Sequence, residues 1–269
     1  PQRLVCTRKC PFTFPMINPP DVFRADFIAF LNSLIFRNIS VLLFSRFIPA
    51  LAVLNVKVDI IQHDLHFFIA QAHRVGDAGL TVCSSGNLSW RIGEEALVSG
   101  TGSWVPSLTK EKIAVCRVAD GEVLNGVKPS MESGFHLGIL RERPDVDVVL
   151  HFQSPYATAV ACMKEIPRNF NVTAEVPCHV GSVIPVIPYF RPGSPELAEQ
   201  VKAALKDHNS CLLRKHGQVV CGKDFDQAFE RAMFFEMACR IIVLSEGRYE
   251  VLSQEEIDDL ETYILGKKP

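Results

Sequence analysis

Three residues of this chain belong to types that hold and use a divalent metal. His151 ends the run DVDVVLH, which reads as a strand and leaves the imidazole at the rim of a sheet. His216 stands at another strand–turn junction, between Lys215 and Gly217. Glu132 follows a Pro-Ser turn and opens a helix, in the first turn, where a carboxylate is electrostatically favoured. A catalytic metal site takes three protein ligands and keeps one position open, and imidazole suits zinc. Each residue also has a plain reading, as a strand-end histidine or a helix-start glutamate, and spacing alone does not bring the two histidines together. Ser84-Ser85-Gly86-Asn87 and Thr101-Gly102 are small, hydroxyl-rich turns. Such turns can offer N–H groups and hydroxyls to a phosphate, though many loops look alike.

The elements that must position these groups lie downstream of residue 58. IIQHDLHFFIAQAHRVG has apolar residues at helical spacing and a glycine stop at Gly76. SSGNLSWRI and ALVSGTGSWVPSLTKEKIAVCRV then predict short strands and tight turns, and residues 118–123 a hairpin with Asp120-Gly121 at its tip. A helix is expected over 130–143, ended by Pro144, and another over 154–163. SVIPVIPYF reads as an edge or irregular strand because two prolines would spoil a central one. A helix over 195–207, a strand–turn–strand in CLLRKHGQVVCG, a long amphipathic helix over 225–246 and a closing helix in EEIDDLETYIL complete the pattern. No G-x-G-x-x-G fingerprint accompanies the alternation, so a dinucleotide fold has no support.

Residues 1–57 differ in character. Pro1, Pro11, Pro15, Pro19 and Pro20 crowd an aperiodic start, and the apolar run after them is cut by Arg37, Arg46 and Pro49. A membrane-spanning helix needs about 20 predominantly apolar residues, and each buried arginine costs about 2.5 to 3.5 kcal/mol on insertion scales. A secretory signal would show a basic start, one apolar core and a small-residue cleavage site. Neither template fits. The expectation is an appendage, disordered or not native to the working protein, with a boundary near Val58; a membrane or partner-binding helix is the alternative.

Of the 269 residues, 48% are hydrophobic and 22% charged, enough to bury a core and unlike a disordered chain. The net charge of -2 supplies no basic field for nucleic acid, so small molecules are the expected partners. Nine cysteines without a C-x-x-C pair, among them Cys116, Cys162, Cys211 and Cys239 in apolar stretches, read as buried thiols in a reducing, cytoplasmic setting.

Five segments in order carry a resemblance: S-G-N-L-S, G-T-G, K-P-S-M-E, V-L-H-F-Q and L-L-R-K-H-G. Over residues 60 to 263 the chain resembles the class II aldolase/adducin family, and within it the L-fuculose-phosphate aldolases. The resemblance implies one three-layer α/β/α domain around a largely antiparallel sheet, one zinc ion per subunit and a homotetramer. It places metal ligands on His151 and His216, and the acid/base group on Glu132, which can also touch the metal before substrate binds. It places phosphate contacts on Ser84, Asn87, Thr101, Gly102 and Ser130. Two positions depart from the pattern. Gln153 stands where the family has a second histidine, and an amide oxygen is a poorer zinc ligand than imidazole. Met131 stands where the family has a phosphate-contacting serine. Glu175 and His179 are candidates to replace the missing ligand, and Tyr249 and Tyr263 to complete a neighbouring subunit's pocket.

The implied chemistry is retro-aldol cleavage of a ketose 1-phosphate, with L-fuculose 1-phosphate giving dihydroxyacetone phosphate and L-lactaldehyde as the first expectation. Zinc would stabilise the ene-diolate and Glu132 would move protons. The rivals are a pentulose-5-phosphate 4-epimerase, whose relatives carry aspartate at the Glu132 position, a sugar-phosphate dehydratase, and a metal-free adducin-like binding module.

Overall fold

The computed structural model describes residues 48–266, with side chains followed from Gln62. The chain divides into two units, Pro1–Lys57 and Val58–Pro269; the appendage expected over 1–57 lies almost wholly outside the described residues. Helix α1 spans Ile48–Asp77. Pro49, expected to cut the apolar run before it, lies at the start of the described residues of this helix. Gly76 is not the stop. It lies inside the helix against Pro106, and the chain leaves helical geometry at Gly79, whose φ of 73° falls in the left-handed region that favours glycine.

Seven strands form one sheet: β1 (Asn87–Ile92), β2 (Glu95–Ser99), β3 (Ile113–Arg117), β4 (Val148–Phe152), β5 (Val186–Ile187), β6 (Ser210–Leu213) and β7 (Gly217–Gly222). Their spatial order is β3-β2-β1-β4-β7-β6-β5. Every pair is antiparallel except β5 with β6. The proline-flanked β5 lies at the edge, where absent N–H donors spoil no ladder. The turn at Asp120-Gly121 does reverse the chain, but its return arm pairs only through Cys116 and Val123.

Helices cover both faces, giving the three layers. Helix α2 (Ser133–Glu142) and helix α4 (Pro195–Leu205) lie over one face, where Phe135, Ile139, Leu197 and Val201 meet Val98, Val149, Val219 and Cys221. Over the other, α1 and α5 (Phe225–Leu244) bring Phe68, Ala72, Val75, Phe225 and Ala232 onto Leu88, Val148, Leu150 and Phe152. Helix α3 (Pro155–Ala161) and a π-helical turn at Val176–Val180, which the sequence reading does not foresee, pack with α5 into a third cluster. Helix α6 (Gln254–Leu265) closes the chain behind a Ser253/Glu256 capping box. The seven cysteines among the described residues are all free. Cys116, Cys211 and Cys239 are buried as expected, whereas Cys162, at the end of α3, is exposed.

Candidate active site

The pleat decides which side chains meet. Along β4, Val148, Leu150 and Phe152 face α1 and α5, so Val149 and His151 face α2. Register then sets Asn87 of β1 opposite His151, and Ser89 opposite Val149. His216 ends the turn between β6 and β7, and that turn closes tightly because a side chain on Gly217 would strike the carbonyl of Phe152. Gly86, at φ 91°, also passes close to the carbonyl of His151, though less tightly. Glu132 sits at the N-cap position of α2, but its side chain caps nothing. It turns inward and is 6% exposed, so the helix-start reading does not hold.

These residues converge. Glu132 Oε2 lies 3.2 Å from His151 Nε2, Glu132 Oε1 3.7 Å from His216 Nε2, and the two imidazole Nε2 atoms 3.3 Å apart. Among the described residues, Glu132, His151 and His216 are the one group of three or more such side chains close enough to share a metal ion. Gln153 Nε2 comes within 2.9 Å of His151 Nε2, so the amide stands beside the cluster. His151 Nδ1 lies 2.8 Å from the carbonyl of Gln218, which can only accept. That nitrogen therefore carries a proton, and Nε2 points at His216.

Electrostatics follow from this crowding. Burial by itself pushes the Glu132 carboxyl up, but the charge and hydrogen bond of His151, the nearby His216 and the Asn87 amide outweigh it and hold the group well below the usual carboxylate range. Burial pulls His151 down, yet the Glu132 carboxylate raises it above the ordinary histidine value. His216 is pushed down to about 4 by burial and by His151. A carboxylate and two imidazoles thus stand together, and the Glu132 carboxylate favours a positive charge on its neighbour.

Does a metal suit the donor set? Two buried oxygens at the cluster, Glu132 Oε1 and Gln153 Oε1, accept no hydrogen bond. Unpartnered buried acceptors are costly in a folded protein, and a cation would satisfy both. Two imidazoles and a carboxylate are also an ordinary ligand set for zinc and its neighbours. The residues fit.

Above the cluster opens a cleft of about 340 Å³, lined among others by Ser84, Asn87, Thr101, Gly102, Ser130, Glu132, Gln153 and His216. All five residues expected at phosphate share this one cleft, with Met131 exposed on its wall. The proposed replacements for the missing histidine do not reach it. His179 pairs with Glu230 on α5 at 3.1 Å and packs on Phe234, and Glu175 opens the π-helical turn. Tyr249 packs with the α3–α5 cluster, and Tyr263 is exposed on α6.

A supporting shell went unread in the sequence. Ser154 and Gln218 are fully buried; the Gln218 amide donates to Ser154 Oγ, and Ser154 donates to Glu236 of α5. Glu236 also accepts from the N–H groups of Tyr156 and Ala157, capping α3 from outside. His136, fully buried, lies between Ser89 and Asn87. The four-residue step from Glu132 puts His136 on the same side of a helix, which is the signal that could have found it.

The mixed seven-stranded sheet and its helical layers are those of class II aldolases, and residues 68–243 match the family described as Class II Aldolase and Adducin N-terminal domain. The chain belongs to that family. Across 189 residues it is 34% identical to the 3-oxo-tetronate 4-phosphate decarboxylase of Haemophilus influenzae, covering 69% of this chain and 90% of that protein. An L-fuculose phosphate aldolase of Methanococcus maripaludis is 32% identical over 173 residues, 64% of this chain and 92% of its own. Among solved structures, YgbL from Escherichia coli, described as an aldolase/epimerase/decarboxylase, superimposes with a TM-score of 0.69 at 29% identity, covering 75% of this chain and 99% of that one. No helix among the described residues is long and apolar enough to cross a membrane.

Proposed function

We propose that the chain is a divalent-metal lyase, with zinc the first candidate, that breaks a carbon–carbon bond next to the carbonyl of a phosphorylated sugar or sugar acid. The observation that carries this reading is the convergence of Glu132, His151 and His216 at the foot of a cleft rimmed by hydroxyls and turn N–H groups. An ion held by His151, His216 and, before substrate arrives, Glu132 would supply Lewis-acid stabilisation of the negative charge left by bond cleavage. Gln153 is the fourth donor. A half-turn of its amide presents Oε1 in place of Nε2 without changing its shape. Ser84, Asn87, Thr101, Gly102 and Ser130 orient the phosphate, and Met131 in place of a hydroxyl removes one contact from that cradle.

Two substrates suit the same residues. Loss of carbon dioxide from 3-oxo-tetronate 4-phosphate and loss of L-lactaldehyde from L-fuculose 1-phosphate both leave the three-carbon ene-diolate that, once protonated, is dihydroxyacetone phosphate. Glu132 Oε1, buried and unpartnered beside the cleft, is the group placed to relay that proton, which in the decarboxylation comes from solvent. In the aldol direction it would first take one from the departing hydroxyl. The 3-oxo acid is the first choice, because four relatives named for that activity share 32% to 34% identity with this chain; the ketose 1-phosphate is the second. A metal-free binding module is the rival that Gln153 favours.

One assay separates them. Dihydroxyacetone phosphate release is followed on both substrates, with carbon dioxide and aldehyde measured separately, before and after a chelator. Chelator-sensitive release with carbon dioxide supports the decarboxylase, and with aldehyde the aldolase. A protein that binds no zinc, manganese or cobalt at micromolar concentration would overturn the enzyme reading.

A further inference from the structure

The described residues hold a chain of hydrogen bonds whose direction can be settled atom by atom. It starts at Ser89 Oγ, 2.8 Å from His136 Nδ1. His136 Nε2 meets Asn87 Oδ1, and Asn87 Nδ2 lies 3.0 Å from Glu132 Oε2. All four residues are buried, His136 and Ser89 completely. The Glu132 carboxylate can only accept, so Asn87 must turn its NH2 toward it. Asn87 Oδ1 can only accept as well, so His136 Nε2 must carry the ring proton. His136 Nδ1 is then a bare acceptor, and the Ser89 hydroxyl donates to it. Each donor meets one acceptor along the row, and for a neutral ring no other assignment satisfies all three contacts.

We propose that His136 is a positioning residue for the reactive carboxylate, acting through Asn87. As the Nε2–H tautomer it locks the Asn87 amide with its NH2 toward Glu132. Glu132 Oε2 is thereby tied down, and Oε1 stays turned to His216 and the cleft. Without His136, the Asn87 amide is free to flip and set its oxygen against the carboxylate. Two acceptors would then face each other in a dry site, and Glu132 would leave its place beside the histidines. The arrangement makes no demand on the substrate. Its consequences for turnover and for metal retention rest on the metal-lyase reading above, but its consequence for the tautomer does not.

The first test uses the unmodified protein. Nitrogen-15 NMR of the histidine rings at pH 7 should show His136 as a neutral Nε2–H tautomer with a slowly exchanging proton. A neutral Nδ1–H form, or a charged ring, would overturn the proposal whatever the enzyme does. The second test titrates zinc against a chelating dye in His136→Phe, His136→Gln, Asn87→Ala and the double variant His136→Phe/Asn87→Ala. Outer-shell partners of metal ligands typically contribute roughly 10- to 100-fold in affinity. His136→Phe should show a loss in that range. His136→Gln, which can still donate to Asn87 and accept from Ser89, should recover most of it. In the Asn87→Ala background His136→Phe should cost nothing further, since its route to Glu132 is gone. Additive losses in the double variant, or no rescue by glutamine, would show His136 to be core packing and sink the proposal. Failure of every substrate would leave these readouts standing and count against the lyase reading alone.

Discussion

The two faces of the central sheet are built from the same strands and do opposite work. Toward α1 and α5 the buried residues form an apolar layer, with Leu88, Val148, Leu150 and Phe152 against Phe68, Ala72, Phe225 and Ala232. Toward α2 the same strands turn Asn87, Ser89 and His151 inward, and the helix answers with Glu132 and His136. Apolar contact is non-directional and proportional to area, so the first face tolerates exchange of one hydrophobe for another of similar volume. The second has an apolar layer of its own, in which Phe135, Ile139, Leu197 and Val201 meet Val149 and Val219, but it adds directed hydrogen bonds in a dry setting, where one missing partner strands the next. Both faces therefore contribute apolar stability, and only the second also holds the polar cluster, although adjacent residues of one strand serve both.

Substitutions on the two faces should separate these roles. Glu132→Gln keeps the shape and removes the acid/base group. It should lower turnover by about 10² to 10⁴, roughly 3 to 5 kcal/mol of barrier, a larger effect on activity than on the melting temperature, which falls because His151 loses its partner charge. Phe68→Ala, on the apolar face, should do the reverse. It should cost about 3 to 5 kcal/mol of unfolding free energy in urea while each folded molecule turns over as before. Equal losses of activity in the two variants would dissolve the contrast.

The polar face also carries a pH signature. His136 titrates near 6.5 when unfolded, but burial and the charge on His151 push it down to about 3 in the fold. Between these values the unfolded chain binds a proton that the folded one refuses. The contribution is thus fully present above pH 6.5 and lost as pH falls toward 3, with a slope of at most about 1.4 kcal/mol per pH unit. Denaturation in urea from pH 7 to pH 4 should show the slope, and His136→Phe should reduce it, leaving the part that His216, pushed down to about 4, contributes in the same window. The smallest expected effect is Ser89→Ala, which deletes one hydroxyl and should cost about 1 kcal/mol. It should still weaken zinc more than an alanine placed at any apolar position of comparable stability cost.

Much of this was legible before any coordinates. Strand-end His151, turn-end His216 and the five phosphate-turn residues gather in one place, and β5 takes the sheet edge that its prolines predict. Readings from local punctuation alone fared worse. Gly76, expected as a helix end, lies one residue inside the helix, where it serves contact with Pro106. A glycine has both uses, and the neighbour that selects between them is distant in sequence. His179 failed as a replacement ligand for a similar reason: its partner, Glu230, is on another element.

The sequence by itself determined the family, the layered α/β class, and which residue types were available for a metal and a phosphate. Those follow from ordered motifs and from periodicity, both local properties of the chain. Only the tertiary structure decided that Asn87 stands opposite His151, that Glu132 turns inward from a helix cap, and that His136 and Ser89 support it. Strand register, helix placement and hydrogen-bond direction arise between segments tens of residues apart, and a linear pattern contains no term for them.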